Sequence, residues 1–191
     1  MLRLLSALRA CLVVAAMGCS VALADTQAIR AERSIDGRAL VVSANVEPAR
    51  SARLEEAVSR GVMLHFTLEF ELLRPRWYWW DQKVAQHSAS LRLSHHAVAR
   101  EFRVVREDGK ALTFDSLDAA LGALAQVRNW RIDFPEPPPS GDYVAQMRLK
   151  LDTSQLPRPF QVDALTNREW NPQVEWTRSA LTLPPIPKSA P

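Results

Sequence analysis

The sequence predicts a mainly β protein, a two-sheet antiparallel β-sandwich with two short helices, and three observations carry that reading. Seven to nine short segments show strand-like patterning, Asp-Gly pairs at Asp36-Gly37 and Asp108-Gly109 mark turns, and only two segments carry a helical period. The alternative is an α+β domain in which one sheet is covered on one side by both helices. Each strand shows a single apolar side in either design, so the patterning does not separate them.

The first 24 residues read as a cleavable export signal. Arg3 and Arg9 give a basic start, Ala10 to Ala24 is almost wholly apolar, and Ala22-Leu23-Ala24 is a small-x-small cleavage pattern before Asp25. The run is shorter than the roughly 20 apolar residues that span a bilayer. Cleavage ahead of Asp25 is the favoured reading. The alternative is lipidation at Cys19, which follows Ala16-Met17-Gly18. Both cysteines, Cys11 and Cys19, fall in this segment, so the processed chain is expected to carry no disulfide, thiolate metal site or cysteine nucleophile.

Residues 25–183 are expected to form one mainly β domain. Ala28 to Val46 reads as a hairpin about a two-residue Asp36-Gly37 turn, with Ile29, Ala31 and Ile35 on the face of Leu40, Val42, Ala44 and Val46. Pro48 to Arg60 is helical, with Leu54, Ala57 and Val58 on one side and Gly61 as a stop. The clearest strand runs from Val62 to Leu72, where Val62, Leu64, Phe66, Leu68, Phe70 and Leu72 alternate with Met63, His65, Thr67, Glu69 and Glu71. Arg74-Pro75 ends it, because proline cannot donate to a ladder. Strands over Val84 to Ser94 and Val98 to Arg106 follow, joined by a turn near His95-His96-Ala97, and a short run reaches Phe114.

Asp115 or Ser116 caps a second helix, whose stripe is Leu117, Ala120, Leu121, Leu124 and Val127. Pro135 to Gly141 is too rich in proline for helix or interior strand. A strand returns with Tyr143, Ala145, Met147, Leu149 and Leu151 on one face. Asp152 to Pro172 reads as mostly irregular, packed down by Leu156, Phe160, Val162, Leu165 and Trp170, before a last strand around Val174 to Leu183. Residues 184–191 form a proline-rich, disordered tail.

The formal charge of +3 includes Arg3 and Arg9, so residues 25–191 carry only +1, which leaves no nucleic-acid footprint. Arginine outnumbers lysine 20 to 4, a bias assigned first to genome base composition. No Gly-x-Ser-x-Gly or Ser-x-x-Lys context marks an acyl-transfer nucleophile, and no cofactor motif is present. His65 shares a strand face with Glu69 and Glu71, which permits a metal site or a carboxylate pair about 6–7 Å apart. A solvated strand face is the preferred account of all three.

The block Arg74-Pro75-Arg76-Trp77-Tyr78-Trp79-Trp80-Asp81 is the unusual feature. Buried rings closing a core end, with Arg76 on an indole, are expected first, and a contact platform second. Four consecutive aromatics cannot all enter one core, and Trp80 is the ring expected outside. The candidate binding residues are therefore Arg76, Trp77, Trp79, Trp80 and Asp81, joined by Asn167, Arg168 and Trp170 as a second part of one ridge. No catalytic or metal residue is assigned.

The same block resembles the signature of an uncharacterised proteobacterial exported family, the domain of unknown function 4390. Arg92-Leu93-Ser94, Arg100-Glu101-Phe102-Arg103-Val104, Ser116 to Leu121, Leu151 to Phe160 and Ala164 to Trp170 agree with it, so the resemblance covers roughly Leu40 to Leu183. It implies a periplasmic or envelope location and, in many genomes, a gene beside a membrane sensor kinase. With no activity established for the family, the expectation is an exported, non-catalytic envelope module whose partner is an envelope protein or membrane sensor. A periplasmic enzyme acting on envelope polysaccharide or a small ligand is the alternative, and membrane attachment is expected only if Cys19 is lipidated or the signal is retained.

Overall fold

The structure is a computed structural model that describes residues 28–34, 37–48, 50–78, 80–170 and 174–185. The export-signal reading, Ile35, Asp36, Trp79 and most of the expected tail lie outside the described residues.

The chain opens with β1 (Ile29–Arg33) and β2 (Ala39–Asn45), crosses through α1 (Ala52–Ser59), and then runs as a meander. That meander is β3 (Leu64–Arg74), β4 (Gln82–His96), β5 (Glu101–Arg106) and β6 (Ala111–Phe114). After α2 (Leu117–Ala125), β7 (Gln126–Asp133) returns to the first sheet. Then β8 (Gly141–Leu151), α3 (Arg158–Thr166) and β9 (Thr177–Leu183) complete the second. All pairings are antiparallel, in a three-stranded sheet ordered β1-β2-β7 and a curled six-stranded sheet ordered β6-β5-β4-β3-β8-β9.

The sheets face each other across one continuous core, so the sandwich prevails over a single sheet covered by helices. Ile29, Leu40, Val42, Val127 and Ile132 of the small sheet meet Phe66, Phe70, Leu93, Val104, Tyr143 and Met147 of the large one. The period-two pattern of β3 does what it predicts, burying Leu64, Phe66, Leu68, Phe70 and Leu72. Ser51 and Ser116 cap α1 and α2 by accepting from the N–H groups of Leu54 and Ala119, at 3.2 Å each. Leu54 and Val58 of α1 and Leu117 and Leu121 of α2 surround Leu64, Phe66 and Leu93, closing the core at the start of β3.

Several expectations change. Ile29 and Ala31 do share a face with Val42 and Ala44. However, Arg33 pairs with Leu40 and the Ser34 N–H bonds to the Ala39 carbonyl, so the connection is longer than two residues. Gly37 in it has φ +71°. His95 and His96 are not in a turn but end β4, opposite Phe102 and Glu101, and the His95 ring stacks on Phe102 at 4.6 Å. Val127 belongs to β7 rather than to the second helix.

In β7 two steps along β2, from Val42 to Ala44, match three along β7, from Trp130 to Val127. This bulge turns both Val127 and Ile132 inward although their spacing is odd. Asn129 supplies the left-handed residue at φ +50°, and its N–H reaches Ser43 Oγ at 3.1 Å.

A third helix, α3, occupies part of the passage expected to be irregular. Pro157 and Pro159 do not oppose it, because at the cap and first turn of a helix proline loses no hydrogen bond. Leu156 and Trp170 are buried and Phe160 packs on the core, whereas Val162 and Leu165 are 67% and 87% exposed instead of packing the passage down.

Candidate functional site

The aromatic block is the connection between β3 and β4. Arg74 and Gln82 close the ladder as paired residues, and Pro75 to Tyr78, with Trp80 and Asp81, lie beyond that pair. The Arg76 guanidinium donates to the Gln82 side chain across the base of this tip. Beyond the last pair β3 and β4 are no longer strands, so period-two reasoning cannot assign these rings an inside.

The rings stand in water. Trp77 is 94% exposed, Trp80 85% and Tyr78 64%. Trp80 is outside as expected, but the preferred reading of the block as a core plug is overturned for Trp77 and Tyr78 as well. The Trp77 and Tyr78 rings meet edge to face, 5.0 Å apart at 70°, so they form a wedge rather than a flat platform. Arg74, Arg76 and Asp81 are exposed around them.

The second half of the expected ridge is elsewhere. The 11-residue β3 places its two ends about 33 Å apart. The tip lies beyond its C-terminal end, whereas the segment after β8 folds back at its N-terminal end, where the Asp152 N–H bonds to the His65 carbonyl at 2.8 Å. Asn167, Arg168 and Trp170 belong to that opposite end and do not join the tip. Asn167 Oδ1 accepts from the Glu169 N–H at 2.9 Å, Glu169 pairs with Arg53 of α1 at 3.5 Å, and Arg168 is exposed. Trp170 is only 1% exposed. Its indole N–H donates to Asp163 Oδ2 at 2.6 Å and Phe160 meets it edge-on at 5.5 Å, so it is a core residue, not a contact residue.

The outer face of the large sheet holds the glutamates that the sequence offered for catalysis or metal binding. Here a ladder crosses four strands. Lys83 of β4 donates to Glu71, Gln146 Nε2 donates to the same carboxylate at 2.7 Å, and Arg178 Nε donates to Gln146 Oε1 at 3.0 Å. Glu71 and Gln146 are buried beneath these contacts. Alternation alone would have left them wet.

Two residues back along β3, Glu69 accepts from Arg148 at 2.6 Å and Lys150 at 2.5 Å, and Arg148 lies over the Trp176 ring at 4.2 Å. Burial pushes the Glu69 carboxyl up, but the hydrogen bonds and charges of Lys150 and Arg148 outweigh it and hold the group below its ordinary 4.5. A general acid needs the opposite shift. Because the folded value is the lower one, the stabilisation is complete above pH 4.5 and is lost as pH falls through the folded value. Wild type should therefore lose stability more steeply than Glu69→Gln in acid unfolding below pH 4.5. Parallel pH profiles would refute the pairing.

Two further recesses open among the described residues. A polar cleft of about 390 Å³ has His65, Arg92, Arg106, Glu107, Asp152 and Gln155 in its lining, without Glu69 or Glu71. A groove of about 650 Å³ separates Val84 to His87 from the Pro135 to Pro139 loop. That loop is fastened by Tyr143 Oη and Arg33, which donate to the carbonyls of Pro139 at 2.8 Å and Pro138 at 2.9 Å. Among the described residues, no three His, Asp or Glu side chains converge as a metal set, and no helix is long and apolar enough to cross a membrane.

No curated protein and no solved structure matches the sequence. A family profile described as Domain of unknown function (DUF4390) matches residues 24–180. With that match running from the residue before Asp25 through most of β9, and with the aromatic tip inside it, the chain belongs to the DUF4390 family.

Proposed function

We propose that the protein is an exported, non-catalytic binding module of the cell envelope, and that the β3–β4 tip is its contact element. The exposure of Trp77, Tyr78 and Trp80 carries this reading. Burying a large apolar side chain is worth about 1.5–3 kcal/mol, and this chain forgoes that gain three times at one point of a fold that encloses Trp170 completely. Such a concentration of hydrated aromatic surface is the usual mark of a contact site. The N-terminal signal pattern supports export, and a membrane sensor is one partner class consistent with that location.

An enzyme acting through Glu69, Glu71 and His65 requires these side chains to share a pocket. The polar cleft holds His65 without either glutamate, and both carboxylates are engaged in ion pairs. Mass spectrometry of the mature chain should find it starting at Asp25. A start at acylated Cys19 would mean a lipid-anchored module, and an intact chain with Met1 in the cytosol would end the export reading. In intact cells, a photo-crosslinking residue at Tyr78 should capture an envelope component, and one at exposed Leu165 should not. Equal capture from both positions, or none, removes the tip as the contact element.

A further inference from the structure

The tip is built as a wedge. Its rings lie past the last paired residues, Arg74 and Gln82, and β5 borders β4 only from Leu91 to His96, so no strand flanks the hairpin beside the tip on that side. The Trp77 and Tyr78 rings meet edge to face and project past the ladder rather than lining a recess. The wedge can enter a soft, planar layer without collision from β5 or β6. Tryptophan and tyrosine favour the headgroup region of a bilayer, where an apolar ring and a polar N–H or O–H are both accommodated.

Two arginines stand at the base of the wedge. Arg74 and Arg76 are exposed, and among the described residues neither forms an ion pair; Arg76 bonds only to the neutral amide of Gln82. Glu71, three residues before Arg74, is already engaged by Lys83 and Gln146. Asp81 in the tip and Glu136 in the loop beside β4 oppose the arginines, so the rings supply the larger share of affinity and the arginines the smaller.

We propose that the β3–β4 tip docks on an anionic phospholipid membrane, with Trp77, Tyr78 and Trp80 in the headgroup layer and Arg74 and Arg76 against the phosphates. The proposal rests on the tip being the contact element and names its partner. Orientation follows from it. The tip end meets the membrane, and the end carrying α1, α3 and the exposed Val162 and Leu165 points away.

The test uses the full chain, purified as the cell processes it, in sedimentation with vesicles of phosphatidylglycerol and phosphatidylethanolamine and with vesicles of phosphatidylcholine. Binding to the first should exceed binding to the second and blue-shift the tryptophan emission. Trp77→Ala/Trp80→Ala should weaken it about ten-fold or more, and Arg74→Ser or Arg76→Ser about five-fold each, with unchanged melting temperatures. Equal pelleting on both vesicles overturns the anionic assignment, and pelleting of the double-tryptophan variant like wild type overturns insertion. No vesicle binding, together with protein capture at Tyr78, overturns the membrane proposal and leaves the binding module standing. Vesicle binding that ignores the tip, with no capture at Tyr78, removes both.

Discussion

Replacing Trp170 by alanine should cost the fold about 3–5 kcal/mol, the range for removing a large ring from a packed interior. On a chain of this size that is a fall in melting temperature of roughly 10 °C. The reason lies in where the ring sits. It is 1% exposed, packs on Phe160, and ties the last turn before β9 to Asp163 of α3. Trp170→Phe keeps most of the packing and loses the indole donor, so it should cost about 1–2 kcal/mol. Trp80→Ala, at a ring 85% exposed, should stay within about 0.5 kcal/mol of wild type. Thermal and urea unfolding of the three variants read this directly. A Trp170→Ala protein as stable as wild type would show that the ring is not a core element and would reopen it as a contact residue.

The second large effect concerns the ladder on the outer face of the large sheet. Glu71→Ala should destabilise by about 1–3 kcal/mol, because it strands the buried Gln146 amide without its acceptor. Half-exposed Lys83 returns to water at little cost. Glu71→Gln preserves an acceptor for Gln146 and should cost less. Chemical denaturation of Glu69→Gln, Glu71→Gln and the double variant also tests what these carboxylates are for. Sites kept for chemistry are commonly held against stability, so substitution at them often stabilises. A rise in stability for the double variant would count against the structural ladder and for the enzyme alternative.

The predictions also show what was legible. β3 was readable because Leu64 to Leu72 pair with β4 in one unbroken register, so their side chains alternate between the two faces; the register shifts only between Leu72 and Leu73. The stripe Leu54, Ala57 and Val58 and the cap Ser116 were readable for the same local reason. β7 was harder, since the bulge at Asn129 shifts the phase by one residue and the sequence shows only a broken alternation. α3 was missed because its prolines stand where a helix tolerates them and its apolar residues form no clean stripe.

The candidate site was half legible. The aromatic block was recognisable by composition, but its exposure depended on the ladder stopping at Arg74 and Gln82, a fact of pairing. Joining it to Asn167, Arg168 and Trp170 was wrong. A strand is stiff and long, and the two segments attach to opposite ends of the same one. Glu71 looked solvated because alternation reports only which face a residue takes, not whether neighbouring strands cover it.

The sequence by itself determined the mainly β character, the polar and apolar faces of β3 and β8, the apolar stripe of α1, the cap of α2, and the family. Each of these depends on residues close together in the chain, whose spacing sets the local period. Only the tertiary structure decided that Trp77 and Tyr78 stand in water beside Trp80 while Trp170 does not, and that Glu71 lies beneath a ladder from four strands. At these positions burial depends on what the rest of the chain brings alongside, which the local spacing does not encode.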